Sequence, residues 1–392
     1  MKYRLAIALS LFFVVCQFVS AQNPPQHGKK PGTMVITDAM VIDGVGTPPE
    51  GPMDIVIRDN RIESVGSANP KADYRKDAKA VIDAKGKYVL PGFINMHAHL
   101  IDERAGKPMP FQYQYNLWLG CGITTCRDVG SDIPKALKER EKSTANSIVA
   151  PRIFLYMWYP GGKGEADIRS KVRDIKNKGA DGIKCWQVDR EDFRIVGDEA
   201  RKQGLKIAHH VGVEDANAWD DADVGTTSIE HWYGIPDAAL DGVQNFPADF
   251  NYSNELHRFR YAGRLWREAN PEKLQKVLHR LVEANVAWDP TLGIYEASRD
   301  LQRAITQPWF KDFLHPTLEQ FFAPNPENHG SFFFGWTTTD EVFWRENYQI
   351  WFKALQDFAK MGGVITTGED AGFIYQMFGF CYLRNLQLQE EA

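Results

Sequence analysis

The sequence predicts an α/β protein built as a (β/α)₈ barrel of the TIM type, preceded by a small β-sandwich-like unit. Eight short strand-like runs alternate with longer, charged, helix-compatible segments after residue 91. Between residues 33 and 90, β-rich runs are broken by Gly, Pro, Asp and Asn. The 392 residues, 43% hydrophobic and 25% charged, supply enough apolar material for a barrel core and a smaller unit beside it.

Residues 1–21 have the pattern of a cleaved signal peptide. Lys2 and Arg4 precede an apolar run over 5–15, and small residues lead to a cleavage site after Ala21. The run is shorter than the ~20 apolar residues that a spanning helix needs, which disfavours the alternative of a membrane anchor. We therefore expect a periplasmic or secreted protein with no stable membrane insertion after cleavage.

The net charge argues against a nucleic-acid partner. The full chain carries −5, and loss of Lys2 and Arg4 with the signal peptide changes this to −7. Nucleic acids select basic surfaces, so a small-molecule partner is favoured. Four cysteines remain after residue 21, too few for a disulfide framework; free thiols are favoured over a Cys121–Cys126 bridge.

The N-terminal part divides into a spacer and a small sheet. Residues 22–32 (QNPPQHGKKPG) are polar and rich in Pro and Gly, which predicts a disordered spacer. Residues 33–90 contain the runs MVITDAMVID, DIVIRDNRIESVG and AVIDAKGKYVL, which predict a small antiparallel sheet. Asp59-Asn60 marks a tight turn within it.

Residues 91–392 are the predicted barrel. Its expected strands are FINMHAH (93–99), ITTCRDV (123–129), RIFLYM (152–157), GIKCWQ (182–187), KIAHHV (206–211), SIEHW (228–232), VAWDPTL (286–292) and VITTGED (364–370). The expected helices include residues 133–142, 165–179, 191–204 and 271–284. An aromatic-rich insertion over about 293–350 predicts either extra helices on the barrel flank or a lid over its mouth.

Metal-competent side chains stand at the C-terminal ends of the predicted strands, where barrel active sites assemble. His97 and His99 are two residues apart on a strand, so their side chains project from the same face and can converge on one ion. The full set is His97, His99, Lys184, His210, His231 and Asp370. Six such groups on one rim favour a metal centre over unrelated core or surface roles.

Several motifs resemble the amidohydrolase superfamily, especially its imidazolonepropionase-like and prolidase-like branch. Residues 34–99 are similar to the small β unit that leads through Pro-Gly-Phe-Ile to a His-x-His strand in that family. GADGIK (179–184), GLKIAHH (204–210), GTTSIEH (225–231) and GGVITTGEDAG (362–372) resemble its fourth, fifth, sixth and eighth strands. The similarity covers nearly the whole chain after residue 33.

The resemblance implies one or two divalent metal ions, most simply zinc, held by the six residues of that set. It implies a carbamate on Lys184 that bridges two metals, since an ammonium beside them would be unfavourable, with Asp370 as acid and base and His231 beside the developing oxyanion. Two alternatives stay open, a salt bridge at Lys184 and a core role for His231. The residue types alone also allow His209 or Glu369 as ligands, but the resemblance favours their neighbours His210 and Asp370.

Two departures from the family pattern affect details. Asn95 stands where many relatives have Asp, and Cys185-Trp186 stands where they often have smaller residues, which predicts a narrower, more aromatic pocket. Relatives also continue beyond the eighth strand with segments that complete the small β unit. We therefore expect a chain shortened at its C-terminus, with strand edges exposed in residues 34–90.

The predicted function is metal-dependent hydrolysis of a carbon–nitrogen bond in an amide, a cyclic amide or a dipeptide. The alternatives are a mononuclear deaminase, lactonase or decarboxylase on the same scaffold, and a non-catalytic exported ligand-binding protein. Arg127 could hold an anionic substrate or form a structural ion pair. A homo-oligomer is left open.

Overall fold

A computed structural model describes most of the chain after the spacer. The described residues are 32–392 except 132, 212–215, 243–247, 249, 251–254, 263, 327, 329, 332 and 334. The expected signal peptide at 1–21 and the spacer up to residue 31 lie outside this range. Among the described helices, none is both long and apolar enough to cross a membrane.

The N-terminal unit is a five-stranded sheet in which β1 is central. Its strands are β1 Thr33–Val41, β2 Glu50–Arg58, β3 Arg61–Ser67, β4 Ala80–Asp83 and β5 Tyr88–Val89. The prediction of an antiparallel sheet is wrong in part: β1–β2 and β2–β3 are antiparallel, but β4 and β5 both pair with β1 in parallel. The short helix α1 Asp73–Asp77 carries the chain back across the sheet, so β4 runs in the direction of β1.

Two local features of this unit follow the sequence. The predicted turn at Asp59-Asn60 joins β2 to β3, and both residues adopt the positive φ that this kind of tight turn requires. Along β1 the buried residues alternate, with Val35, Thr37 and Ala39 facing inward. Every residue of the edge strand β3 is exposed.

The barrel wall is a parallel sheet of seven strands, which confirms the predicted fold class. These strands are β6 Phe93–Ala98, β9 Ile123–Val129, β10 Arg152–Trp158, β11 Gly182–Trp186, β12 Lys206–His210, β13 Ser228–Glu230 and β14 Ala287–Asp289. They are arranged in chain order, each hydrogen-bonded to the next. A small hairpin, β7 Glu103–Arg104 and β8 Lys107–Pro108, follows the first of them.

The predicted eighth strand, 364–370, closes the barrel without forming a regular strand. It makes one parallel bridge, between Trp288 and Ile365. Backbone hydrogen bonds nevertheless join it to β14 through Val364 and Thr366, and to β6 through Thr367 and Asp370. A Cβ at Gly368 would lie 2.3 Å from the His97 Cβ, so the run passes very close to β6. It leaves extended geometry at Asp370, whose φ is 48°.

The helices surround this wall, and the four predicted ones form within two residues of their expected bounds. In chain order the barrel helices are α2 Phe111–Gly120, α3 Ile133–Thr144, α4 Glu165–Asn177, α5 Arg190–Gln203, α6 Ala218–Val224, α7 Glu255–Ala262, α8 Leu265–Glu268, α9 Pro271–Glu283, α10 Glu296–Arg299, α11 Leu301–Ile305, α12 Phe310–Phe313, α13 Pro316–Phe322, α14 Thr338–Lys360 and α15 Phe380–Glu391. Local chemistry sets several ends: the Asn270 side chain caps the start of α9, and Gly204 ends α5 in the left-handed conformation.

The described residues of the aromatic segment 293–350 are largely helical up to Phe322 and again from Thr338, where α14 packs against α8 and α9 on the flank of the barrel. On α14, the side chains of Trp344, Tyr348 and Trp351 are buried. The ring of Tyr295, at the start of the segment, stacks on Trp344 with centroids 5.7 Å apart. Tyr295 also faces the cavity at the barrel mouth, so this segment touches the mouth through its first turn. The four described cysteines are free thiols, as favoured from the sequence.

A buried carboxylate organises the small sheet. Asp54 on β2 is 2% exposed and accepts hydrogen bonds from the Arg75 guanidinium at 2.6 and 2.8 Å and from the Tyr74 hydroxyl at 2.8 Å. The backbone N–H groups of Asp38 and Asn69 also donate to it. Burial raises the pKa of Asp54, but these hydrogen bonds outweigh it and lower the pKa to about 2.

This geometry predicts an acid-sensitive small sheet. The pKa of Asp54 in the folded protein lies below the ordinary value of 3.8 for an aspartate. The stabilisation is therefore complete above the unfolded-state pKa and is lost as the pH falls toward 2. Asp54→Asn should reduce the free energy of opening of β1–β3 by roughly 2 kcal/mol at pH 5 and by roughly 1 kcal/mol at pH 3. Hydrogen exchange of these strands measures both values.

The exposed Asp73, whose side chain is 86% exposed in its pair with Lys76, provides the control. Asp73→Asn should change opening little at either pH. A difference between Asp54→Asn and the wild type that stays constant from pH 5 to pH 3 would contradict the proposed titration.

Candidate metal centre

Three histidines surround one carboxylate at the mouth of the barrel. His97 and His99 leave the end of β6, and their Nε2 atoms lie 3.7 and 3.1 Å from Asp370 Oδ1. His231 follows β13, and its Nε2 atom lies 3.8 Å from Asp370 Oδ2. Ligand atoms of His97, His231 and Asp370 all lie within 4.8 Å of one another. This spacing is suitable for a shared cation.

His210 and Lys184 lie on the other side of His231. The ring centroids of His210 and His231 are 4.5 Å apart, and both residues line the same cavity as Lys184. Lys184 is 2% exposed, and its Nζ atom has no hydrogen-bond partner in the described part of the chain. Burial, together with the nearby Arg127, lowers the pKa of this amine. The predicted set of six is thus brought to one place.

The structure separates two pairs of neighbours, His209 from His210 and Glu369 from Asp370, in the way that the family resemblance favours. His209 faces away from the cavity, with its ring 4.2 Å from Phe193 and its Nδ1 atom 2.8 Å from the buried Asp221. Period-two geometry therefore turns His210 toward the mouth. Glu369 also faces away from the histidines: it accepts hydrogen bonds from the Trp118 indole and from the backbone N–H of Gly379.

A second carboxylate lies beneath the histidines and holds one of them. Glu230 Oε2 lies 2.6 Å from His97 Nδ1, and its Oε1 accepts a hydrogen bond of 2.7 Å from Arg127. Both acid and arginine are buried, so Arg127 forms the structural ion pair rather than an open anion site. With Glu230 at Nδ1, the Nε2 atom of His97 is left to face Asp370.

Sequence reasoning missed this role of Glu230. The available signal was its position in SIEH, one residue before His231. Adjacent residues of a regular strand point to opposite faces, so Glu230 and His231 were not expected to act at the same site. Asp289 was also missed; it is fully buried at the end of β14, 3.9 Å from Arg127. Nothing in the local pattern of VAWDPTL identifies a partner for it.

The charge states at the centre follow from burial and from neighbouring groups. Burial and the positive charge of Lys184 lower the pKa of His97 to about 4, and burial lowers the pKa of His231. Burial raises the pKa of Asp370, but the surrounding histidines outweigh it and hold this pKa below its usual range. Near pH 7, His97 and His231 are therefore neutral imidazoles and Asp370 is an anionic carboxylate.

Three residues at the same place have a strained backbone. His231, Thr291 and Asp370 all have positive φ, at 64°, 43° and 48°. The Thr291 hydroxyl lies 2.5 Å from His231 Nδ1, which fixes the ring of that histidine. Such conformations cost roughly 1–3 kcal/mol each and persist where surrounding contacts enforce them. The strained residues here aim side chains into the cluster.

The cluster lines a cavity of about 220 Å³ with largely aromatic walls. Beyond the six residues of the set, its lining is Trp158, Trp186, Tyr233, Phe259, Ile294, Tyr295, Phe373 and Ile374. The expectation of an aromatic pocket is in line with this list, and Trp186 is part of it. The histidine, lysine and aspartate side chains of the lining thus all belong to the set of six, and the other lining residues are aromatic or aliphatic.

Three curated proteins, two of them dihydroorotases, match short stretches of the sequence, and no family model matches. Dihydroorotase from Thermoanaerobacter sp. is 43% identical over 67 residues, which is 17% of this chain and 14% of that protein. A 5-methylthioadenosine/S-adenosylhomocysteine deaminase from Thermococcus sibiricus is 48% identical over 46 residues, 12% of this chain and 10% of the deaminase. The matches thus span about a seventh or less of these relatives.

Solved structures share the fold over most of the chain. A Xaa-Pro dipeptidase with bound methionine in its active site superposes with a TM-score of 0.60 at 19% identity, covering 92% of this chain and 84% of that one. A bottromycin amidohydrolase gives 0.66 at 19% identity, covering 92% and 74%. Ochratoxinase from A. niger gives 0.58 at 15% identity, covering 92% and 81%.

Fold and cluster define a parallel-barrel protein with a candidate metal centre at the C-terminal ends of its strands. The chain shares this fold with a Xaa-Pro dipeptidase and a bottromycin amidohydrolase, and short stretches of its sequence are similar to a dihydroorotase and a deaminase.

Replacement of Glu230 should weaken metal binding. Glu230→Gln removes the charge that accepts from His97 Nδ1 and pairs with Arg127. Loss of such a supporting carboxylate lowers metal affinity by about 10–100-fold in comparable sites. Competition with a fluorescent zinc chelator measures the affinity.

The buried His209–Asp221 pair offers a matched control, because His209 faces away from the cluster. Asp221→Asn should lower thermal stability and leave the chelator titration close to that of the wild type. Equal losses of zinc affinity in both variants would show that Glu230 acts through general stability alone.

Proposed function

We propose that the protein is a metal-dependent hydrolase acting on carbon–nitrogen bonds of an amide, a cyclic amide or a dipeptide. The observation that carries the proposal is the convergence of four histidines, Lys184 and Asp370 in one cavity. The names of similar proteins agree with this class of enzyme: they are a dihydroorotase, a Xaa-Pro dipeptidase and a bottromycin amidohydrolase.

The residues present fit a divalent cation. His97, His99 and Asp370 offer two imidazole nitrogens and a carboxylate within a few ångström, and His210 and His231 offer two more nitrogens beside them. This nitrogen-rich donor set suits zinc. The partnerless buried Nζ of Lys184 supports the proposal that this amine carries a carbamate, because the anionic oxygens would replace a cation in the cluster.

A divalent ion at this cluster would polarise a carbonyl group and lower the pKa of a water molecule. Asp370 accepts the proton of the attacking water and delivers it to the leaving nitrogen, acting first as base and then as acid. Glu230 and Thr291 hold the rings of His97 and His231 in place. His231 lies where it can steady the developing oxyanion.

The aromatic walls restrict what can enter. Tyr233, Phe259, Tyr295 and Phe373 line the cavity together with the tryptophans, so a bound substrate is largely surrounded by aromatic side chains. Lower local polarity strengthens the electrostatic interactions of Asp370 with the reacting atoms. This arrangement favours small molecules with an apolar or aromatic group next to the scissile bond.

A mononuclear deaminase is the second candidate. It is favoured by the match to the deaminase from Thermococcus sibiricus. Removal of an amino group from a ring would use the same histidines and Asp370, but it would not need Lys184 as a metal bridge. The two candidates therefore differ in the role of Lys184.

We further propose that the enzyme acts outside the cytoplasm. This rests on the signal-like pattern of residues 1–21, which lie outside the described part of the structure.

The hydrolase proposal predicts two metals per chain and a carbamate. Elemental analysis of the purified protein should give a stoichiometry near two, and ¹³C-labelled bicarbonate should produce a carbamate carbon signal. Lys184→Ala should reduce the stoichiometry to one or below, and a short carboxylic acid should partly restore activity. One metal in the wild type with no carbamate signal would favour the deaminase.

Turnover should depend on Asp370. A screen of N-acyl amino acids, Xaa-Pro dipeptides, cyclic ureides and lactones identifies a substrate. With that substrate, Asp370→Ala should lower kcat by at least about 10²-fold, because a general acid–base group contributes that much, while most metal stays bound. Asp167→Asn, at an acid on α4 outside this cavity, should retain wild-type kcat. Full activity in Asp370→Ala removes Asp370 from the mechanism.

A further inference from the structure

A second cavity adjoins the one that holds the cluster. Its volume is about 460 Å³, and it is lined by residues 158–162 and 186–189 together with Asp192; we call it the distal cavity. Trp158 and Trp186 line both cavities, and their ring centroids are 5.4 Å apart. The two tryptophans, at the ends of β10 and β11, therefore form the boundary between two parts of one cleft.

The tryptophan boundary has a defined position. An added Cβ at Gly130 would lie 2.6 Å from the Trp158 indole nitrogen, so Trp158 packs directly on the backbone that follows β9. The Trp186 ring is 6.0 Å from the ring of His210. One face of the boundary is thus next to the candidate metal centre, and its other side faces the distal cavity.

The lining of the distal cavity carries negative charge. Asp189 and Asp192 are its ionisable carboxylates, and no lysine or arginine is among its described lining residues. The nearby Lys171 ammonium donates to the carbonyl oxygen of the lining residue Gly161, but its charge is paired with Asp167 on the same helix. Neither carboxylate has a side-chain hydrogen bond or ion pair within the described ranges, whereas their neighbour Glu191 is paired with Arg194. Two uncompensated carboxylates at one end of a cleft attract a cation.

A buried hydroxyl points to a ligand at the same place. Tyr159 is 7% exposed, yet its hydroxyl has no hydrogen-bond partner among the described atoms. A Cβ on the lining residue Gly162 would lie 2.9 Å from this hydroxyl. Burial and the charge of Asp192 raise the pKa of Tyr159, so the phenol stays neutral and its oxygen can accept a hydrogen bond. Buried polar groups of this kind normally have a partner.

The chemistry of these groups is complementary to one class of ligand. Tryptophan faces attract cations, carboxylates pair with them, and the phenol oxygen accepts from an N–H donor. We propose that the distal cavity is a second subsite that binds an ammonium or guanidinium group of the substrate. Its use during turnover rests on the proposed hydrolase function, but the binding of a cation there does not.

The preferred substrate is therefore two-ended. An amide-type bond lies at the histidine cluster, an apolar part spans the tryptophans, and a positive charge lies between Asp189 and Asp192. A neutral or anionic group at the distal end would leave the two carboxylates and the Tyr159 hydroxyl without a partner.

Binding of two matched probes tests the subsite. The probes are 4-phenylbutylammonium and its uncharged analogue 4-phenylbutanol, titrated calorimetrically into the zinc-loaded full-length protein and into the metal-free protein. We expect the ammonium to bind at least about tenfold more tightly than the alcohol in both forms. Asp189→Asn combined with Asp192→Asn should abolish this preference.

Glu191→Gln is the matched control, because Glu191 lies on the same helix and does not line the cavity. It should keep the full preference for the ammonium. Equal affinity for both probes in the wild type overturns the proposal. So does a preference that survives in the double variant, because Asp189 and Asp192 would then not hold the cation.

The result separates this proposal from the proposed function. A cation preference that depends on Asp189 and Asp192, in a protein that hydrolyses none of the screened compounds, keeps the subsite and rejects the hydrolase. Hydrolysis without any such preference keeps the hydrolase and rejects the subsite. Circular dichroism of the double variant, compared with the wild type, shows that it is folded.

Discussion

The Arg127–Glu230 ion pair inside the barrel is the interaction on which the site depends. Glu230 is buried, and it joins a fixed cation on one side to the His97 ring on the other. A buried carboxylate is costly unless it is paired and hydrogen-bonded, and here Arg127, Ser228 and His97 all contact it. The same pair thereby sets which nitrogen of His97 faces the mouth. The histidine cluster is built upward from this buried charge.

The parallel wall explains why the candidate residues could be predicted. Each strand of a closed parallel sheet ends at the same rim, so side chains at the ends of distant runs meet without any sequence contact between them. His97, His210, His231 and Asp370 belong to four separate runs and converge for this reason. Period-two geometry then distinguishes His210 from His209, because adjacent residues of a strand face opposite sides.

Other features depend on tertiary context that no local pattern contains. The closing run 364–370 has strand-like composition, but its close approach to His97 at Gly368 and the positive φ of Asp370 prevent a regular strand. The parallel pairing of β4 with β1 depends on the path that α1 takes across the sheet. The contact between Glu230 and His97 spans 133 residues, so spacing along the chain gave no reason to associate them.

The two ends of the cleft carry different side chains, and this difference limits which substrates can bind. Imidazoles and Asp370 occupy one end, uncompensated carboxylates occupy the other, and Trp158 and Trp186 stand between them. If Asp189 and Asp192 lay beside the histidines, they would compete for the same cation. The tryptophan boundary keeps the two negative regions apart, so one end can hold a metal while the other recognises an organic cation. Strand ends β10 and β11 supply that boundary directly, because each terminates in a tryptophan at the rim.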